Sequence, residues 1–280
     1  MYTELHARSA FSFLEGASAP EELAGACAEH RMAAMAVLDR DGVYGAPRFY
    51  LAAKKLTVQA HIGAEVTSAC GWRYPLLVQS REGYQNLCRL ITRMKLRAHK
   101  GQGHIESEDL TVMHSGLICL TGGEEGPLAA ALEMGGIGQG MRCVQKLCRC
   151  FGHENVYVEL QRHHCREEEA RNQAAVEIAR KFSLPLLATN GVCHAIPQER
   201  ELLDVFTCIR HHRVLASAGR LLSRNGERHV KSPGEMQQLF ADLPEALANT
   251  LELSSRLEFT LNDLGYQFPR YPVPEGETTE

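Results

Sequence analysis

The sequence predicts an α/β fold, a distorted seven-stranded (β/α)7 barrel of the TIM type with a C-terminal helical appendage. Three features predict it. Short apolar runs alternate with helical stretches through the first 200 residues. Runs such as Pro185-Leu186-Leu187-Ala188 are apolar at successive positions, the pattern of strands covered by helices on both faces. Several runs end in a polar residue, which in a parallel barrel stands at the mouth where the loops converge.

Parallel strands are expected near residues 2–7, 34–39, 59–66, 74–79, 116–121, 156–161 and 185–190. The first helix has the clearest start: Ser18 as its cap, Pro20 in the first turn, and Glu21 and Glu22 against the positive end of the dipole. Pro185, after Phe182-Ser183-Leu184, marks a passage from helix to strand. Past about residue 210 the rhythm changes. Ser232-Pro233-Gly234 opens a helical segment carrying Met236, Leu239 and Phe240, and a second helix runs from Leu243 to Leu257. The expected organisation is a barrel over 1–212, a helical extension over 213–265 and a Pro-rich, acidic linker over 266–280.

With 280 residues, 44% of them hydrophobic, the chain can bury one large core. A formal charge of -4 argues against binding nucleic acid by bulk electrostatics, so any DNA contact would be local or made by a neighbouring domain. No apolar run approaches the roughly 18 residues that span a bilayer, and Met1 leads straight into Tyr2-Thr3-Glu4. A cytoplasmic protein without a membrane partner is expected. The ten cysteines are scattered without paired C-x-x-C knuckles and read as reduced thiols.

The strand ends offer His6, Asp39, Glu65, Glu159 and the stretch Thr189-Asn190-Gly191-Val192-Cys193-His194. Alone, this set is weakly catalytic, because strand-end Asp and Asn tie turns and a lone His is more often structural than a ligand. The adjacent pairs His163-His164 and His211-His212 point apart and form no chelate. Gly122-Gly123-Glu124-Glu125-Gly126 follows a strand but has an acidic centre and lacks the Lys-Ser/Thr of a P-loop, so it reads as a turn. Arg89, Arg93, Lys95, Arg97 and Lys100 form a basic strip, read as a solvated helix face.

The run from Glu4-Leu5-His6-Ala7-Arg8 to Glu15-Gly16-Ala17-Ser18 resembles the opening motif of the polymerase and histidinol phosphatase (PHP) domain found in bacterial DNA polymerase III alpha subunits. Leu38-Asp39-Arg40-Asp41-Gly42-Val43-Tyr44-Gly45 is similar to its second motif, Ile62-Gly63-Ala64-Glu65-Val66 to its third, and Leu187-Ala188-Thr189-Asn190-Gly191-Val192-Cys193-His194 to its late one. Glu227–Ser232, Tyr266–Pro269 and Val273–Thr278 most resemble the error-prone branch of that family.

The resemblance implies a cluster of divalent metals on about nine ligands, charge-balanced and open to water and phosphate. Carried over residue by residue, His6 and Glu65 are retained and Glu15 stands for an Asp. Arg8, Arg40 and Arg93 replace His, Gly123 replaces Cys, and Gly191 with Cys193 replaces the closing Asp-x-His, His194 falling one place out of register. Arginine has no lone pair to offer a metal. The expectation is that Arg8, Arg40 and Arg93 supply the missing positive charge and pair with Glu15, Glu65 and Asp39.

On this reading the chain is a degenerate, metal-free module of an error-prone DNA polymerase acting in replication and damage-induced repair synthesis. It would carry no catalytic residue, and its partners would be the remainder of the polymerase, DNA through the parent protein, and other mutagenesis or replisome subunits. Mg²⁺ would belong to the absent polymerase core. The alternative is a Zn- or Mn-dependent phosphoesterase or 3′-5′ exonuclease using a reduced site around His6, Glu15, Glu65 and His194. A third reading is an independent PHP protein acting on a small phosphate ester.

Overall fold

The computed structural model describes residues 1–264. The expected linker over 266–280, with its family-like Tyr266–Pro269 and Val273–Thr278, lies outside the described residues. Seven strands form one sheet in chain order: β1 (Glu4–Ala7), β2 (Ala34–Arg40), β3 (Gln59–Thr67), β4 (Arg73–Val78), β5 (Leu117–Leu120), β6 (Val156–Leu160) and β7 (Leu186–Ala188). All seven lie where the apolar runs place them. Their directions differ from the expectation: β4 is antiparallel to both β3 and β5, while the other neighbours are parallel. The reason is the connection. Residues 68–72 alone join β3 to β4, turning at Gly71 with φ +83°, whereas a parallel crossover needs a dozen residues or more.

The sheet curls until its edges meet through the segment after β7. Val192 bridges Ala7 in parallel, accepting from Arg8 N at 2.8 Å and donating to His6 O at 2.9 Å. Side chains on a strand alternate between faces, so each strand sends every second residue inward. Leu5, Leu38, Leu77, Ile118, Leu120, Tyr157 and Leu187 form a buried inner cluster. Two residues on toward the mouth, the same faces carry Arg40, Glu65, Glu159 and Thr189, and reversed β4 places Arg73 among them. The interior is thus apolar below and ionic above.

The helices are α1 (Pro20–Glu29), α2 (Ala46–Lys55), α3 (Arg81–Arg97), α4 (Ser107–Val112), α5 (Pro127–Phe151), α6 (Arg166–Phe182), α7 (Arg200–Arg210), α8 (Leu215–Ala218), α9 (Pro233–Leu239) and α10 (Pro244–Arg256). The cap of α1 is Ala19, whose N–H is taken by Glu22 at 2.6 Å. Ser18 does not cap it. Its hydroxyl instead donates to Glu199 at 2.5 Å and accepts from Ala195 N at 2.5 Å, tying the loop after β1 to the segment before α7.

α10 closes the pole opposite the mouth. Its Leu253 and Leu257, just past its end, join the inner cluster. Thr3 N donates to Thr250 Oγ1 at 3.2 Å, His61 Nε2 meets Ser254 Oγ at 2.7 Å, and Asn249 donates to Leu186 O at 2.7 Å. These partners all sit at strand starts. Among the described residues, no helix is long and apolar enough to cross a membrane.

Candidate functional site

The loop after β1 carries Glu15 into the mouth. It folds tightly: Ser12 N donates to Ser9 O at 2.9 Å and Glu15 N to Ser12 O at 2.8 Å. Gly16 passes so close to Ser9 that a Cβ there would stand 2.1 Å from its carbonyl oxygen. Leu14 takes φ +62°, a left-handed conformation costly for a bulky residue. Asp39 clamps this loop, accepting from Ser9 N, Ser9 Oγ and Ser12 Oγ at 2.9 Å each and from Gly45 N at 3.1 Å. Among the described residues, no arginine pairs with it. The expected partnership of Asp39 with an arginine is therefore corrected: burial raises its carboxyl, and hydroxyl and amide donors hold it.

Among the described residues, four guanidinium groups meet Glu15. Arg73 Nη1 lies 2.6 Å from its Oε2, Arg210 Nη1 2.5 Å from Oε1, Arg40 Nη1 contacts Oε1, and Arg8 Nη1 is 4.0 Å from Oε2. Burial would raise this carboxyl, but Arg73, Arg8 and Arg40 outweigh burial and hold it below the usual range. Glu65 receives Arg8 in a fork, Nε at 2.6 Å and Nη2 at 2.8 Å, and His6 Nε2 at 2.7 Å. Its carboxyl lies well below the usual range, burial being overcome by Arg8 and His6. Arg8 and Arg73 also bind Glu125, lowered to about 2 by the same contest of burial and cations.

His6 completes the chain of charges. Its Nδ1 lies 2.6 Å from Glu159 Oε1, so both ring nitrogens face carboxylates. Burial pushes its pKa down, but Glu159 and Glu65 together lift it to about 10. Glu159 in turn accepts from Gln161 at 2.8 Å and from Thr189. Five cations (His6, Arg8, Arg40, Arg73 and Arg210) thus face four carboxylates (Glu15, Glu65, Glu125 and Glu159). Above them opens a cleft of about 470 Å³, lined in part by Arg8, Glu15, Glu125, Leu203, Arg210 and Arg228.

The remaining expected residues fall elsewhere. Arg93 stands exposed on the outer α3, 3.2 Å from Asp109, and is not at the mouth. His194 is buried, donates from Nδ1 to Ile196 O at 2.8 Å and lies against His229, with burial pushing it down to about 4. It does not line the cleft. Cys193 does, and its thiol donates to Gly191 O. Gly123 and Gly191 flank the Gln161 amide. Arg73, Arg210 and Glu125 are site residues that the strand-end argument missed.

This donor set does not fit a metal cluster. Both nitrogens of the protonated His6 are spent on carboxylates, and Glu15, Glu65 and Glu125 are covered by guanidinium groups. A dication among them would meet like charge and find no free imidazole.

Fold and mouth together define an α/β barrel domain whose distinctive side chains gather at strand ends. The PHP domain profile matches residues 4–163, and the chain belongs to the PHP domain family. Curated relatives are error-prone DNA polymerases. One from Mycobacterium bovis is 36% identical over all of this chain and 27% of its own length; one from Anaeromyxobacter dehalogenans strain 2CP-1 is 37% identical over 97% of this chain and 24% of its own. The chain spans about a quarter of such relatives and is homologous to their N-terminal part. Among solved structures, an amidohydrolase from Chromobacterium violaceum with bound sulfate and no metal is 13% identical over 69% of this chain and 88% of its own, with a TM-score of 0.45.

Proposed function

We propose that this chain is a structural, metal-independent PHP domain of a longer error-prone DNA polymerase that works in replication and damage-induced repair synthesis in the cytoplasm. One observation carries the reading: the positions where the family resemblance expects metal ligands hold Arg8 and Arg40, and these are ion-paired to Glu65 and Glu15. Protein-borne cations, joined by Arg73 and Arg210, do the charge-balancing work of metal ions. Nucleotidyl transfer, with its Mg²⁺, would belong to the parent protein outside these residues, as would contact with DNA and with other mutagenesis or replisome subunits. No catalytic residue is assigned to this chain.

The phosphoesterase or exonuclease alternative asks His6, Glu15, Glu65 and His194 to converge on a reduced Zn²⁺ or Mn²⁺ site. It is less well supported, since His194 is tied to Ile196 and the other three are tied to one another or to arginines. The deciding measurement is metal content. Untagged protein is incubated with Zn²⁺ and Mn²⁺, dialysed and analysed by inductively coupled plasma mass spectrometry. Retention below about 0.2 equivalents is expected. About two equivalents or more, lost on replacing His6 and Glu65, would overturn the reading.

A further inference from the structure

Gly123 and Gly191 lie on separate loops, after β5 and after β7, yet both touch one side chain. A Cβ at 123 would stand 2.3 Å from Gln161 Oε1, and a Cβ at 191 would stand 2.6 Å from Gln161 Nε2. The sheet order explains the meeting: β6 runs between β5 and β7, and Gln161 is the first residue past its end. Real Cβ atoms do not approach so closely, so one side chain must yield.

Gln161 is poorly placed to yield. It is buried, its Nε2 donates to Glu159 Oε1 at 2.8 Å and to Thr189 Oγ1 at 3.2 Å, and its backbone carbonyl, accepting from Asn172 Nδ2 at 2.8 Å, fixes the main chain from which the amide extends. Glu159 Oε2 already has no hydrogen-bond partner among the described residues. Moving the amide would strip a further donor from a buried carboxylate.

We propose that Gln161 occupies the volume that side chains at 123 and 191 would need, so that the three positions form one exclusive unit: a glutamine flanked by two glycines, or side chains at the flanks with a small residue at 161. This deepens the metal-independent reading and rests on it for its meaning, because 123 and 191 are where the family resemblance expects a Cys and an Asp ligand. Gln161 is then a positioning residue that bars ligands from two sides of the mouth. Restoring a carboxylate at 191 or a thiol at 123 gives no site until Gln161 is also removed.

The test is a double-mutant cycle on the 280-residue chain, read by melting temperature. Gly123→Ala is the cleaner probe, since Gly191 sits at φ +51° and a side chain there is strained in any background. In the otherwise native chain Gly123→Ala is expected to lower the melting temperature by about 5 °C. In a Gln161→Ala background the same change is expected to cost less than about 1 °C. Equal losses in both backgrounds overturn the proposal. Should Gly123→Ala alone fail to fold, recovery of folded protein by Gln161→Ala supports the exclusive unit, and failure of both overturns it. Metal uptake by the native chain bears only on the metal-independent reading, so the two ideas fail separately.

Discussion

Arg73 Nη1 lies 2.6 Å from Glu15 Oε2, although one residue opens β4 and the other sits in the loop after β1. Only the reversal of β4 makes this pair. A parallel β4 would carry its first residue to the opposite pole and leave Arg8 as the buried guanidinium shared by Glu15 and Glu125.

Replacing Arg73 with Met keeps an apolar stem and removes the charge. Because Glu15 is buried and Glu125 loses one of its two pairs, a loss of about 3–5 kcal/mol in urea unfolding is expected. Arg40→His should cost less, about 1 kcal/mol, since Arg40 is partly exposed and Arg73 and Arg210 stay on Glu15. The reverse order would show that Arg40, not Arg73, neutralises Glu15.

Stability should peak near about pH 5 and decline on both sides. His6, raised from 6.5 to about 10, keeps a proton in the folded state that the unfolded chain releases, so its contribution is complete below pH 6.5 and fades as pH rises toward 10. Glu4, raised by burial from 4.5 to about 7, adds to the decline between those values. Glu15, Glu65 and Glu125 act oppositely: their depressed values give stability present above 4.5 and lost as pH falls, through about 2 for Glu125. Melting curves from pH 2 to 10 check this, and His6→Gln should flatten the limb above pH 7.

Asp39→Ala should loosen the loop that carries Glu15. Three donors from Ser9 and Ser12 and the N–H of Gly45 lose their acceptor in a buried setting, for a cost of about 2–4 kcal/mol. Limited proteolysis provides the second readout, with new cleavage expected between Ser9 and Ser18. Unchanged cleavage would mean the loop holds itself.

Excess EDTA should leave the melting temperature within about 1 °C of its starting value, because the cations of the mouth are covalent parts of the chain. A drop of about 5 °C or more, reversed by Zn²⁺ or Mn²⁺, would show a resident metal.

Strand positions were legible because β-strands here are short apolar runs between turn residues, and that pattern survives whichever way a strand points. Direction is not carried by the apolar pattern; its signal is the few residues between Val66 and Tyr74, too short for a crossover. Arg73 reaches the mouth only through that reversal. Glu125 carries no strand-end signal, because Gly122–Gly126 reads as a turn, which it is, and a turn at a strand end is also a way into the mouth. Arg210 had no local signal: its role depends on how α7 folds back across the barrel. Arg8 pairs with Glu65 and Arg40 with Glu15 as the sequence leads one to expect, whereas Arg93 lies on the outer α3 against Asp109.

The long reach of Thr3 to Thr250 also constrains how the molecule can be made. The first strand leaves the ribosome long before α10 exists, and at roughly 5–20 residues per second the gap is on the order of 10–50 s. During that interval the lower end of the interior, with Leu5, Leu38 and Leu77, has no cover. The apolar lower end therefore stays exposed until α10 has emerged, and a chain cut before Leu253 would leave the barrel open at its base.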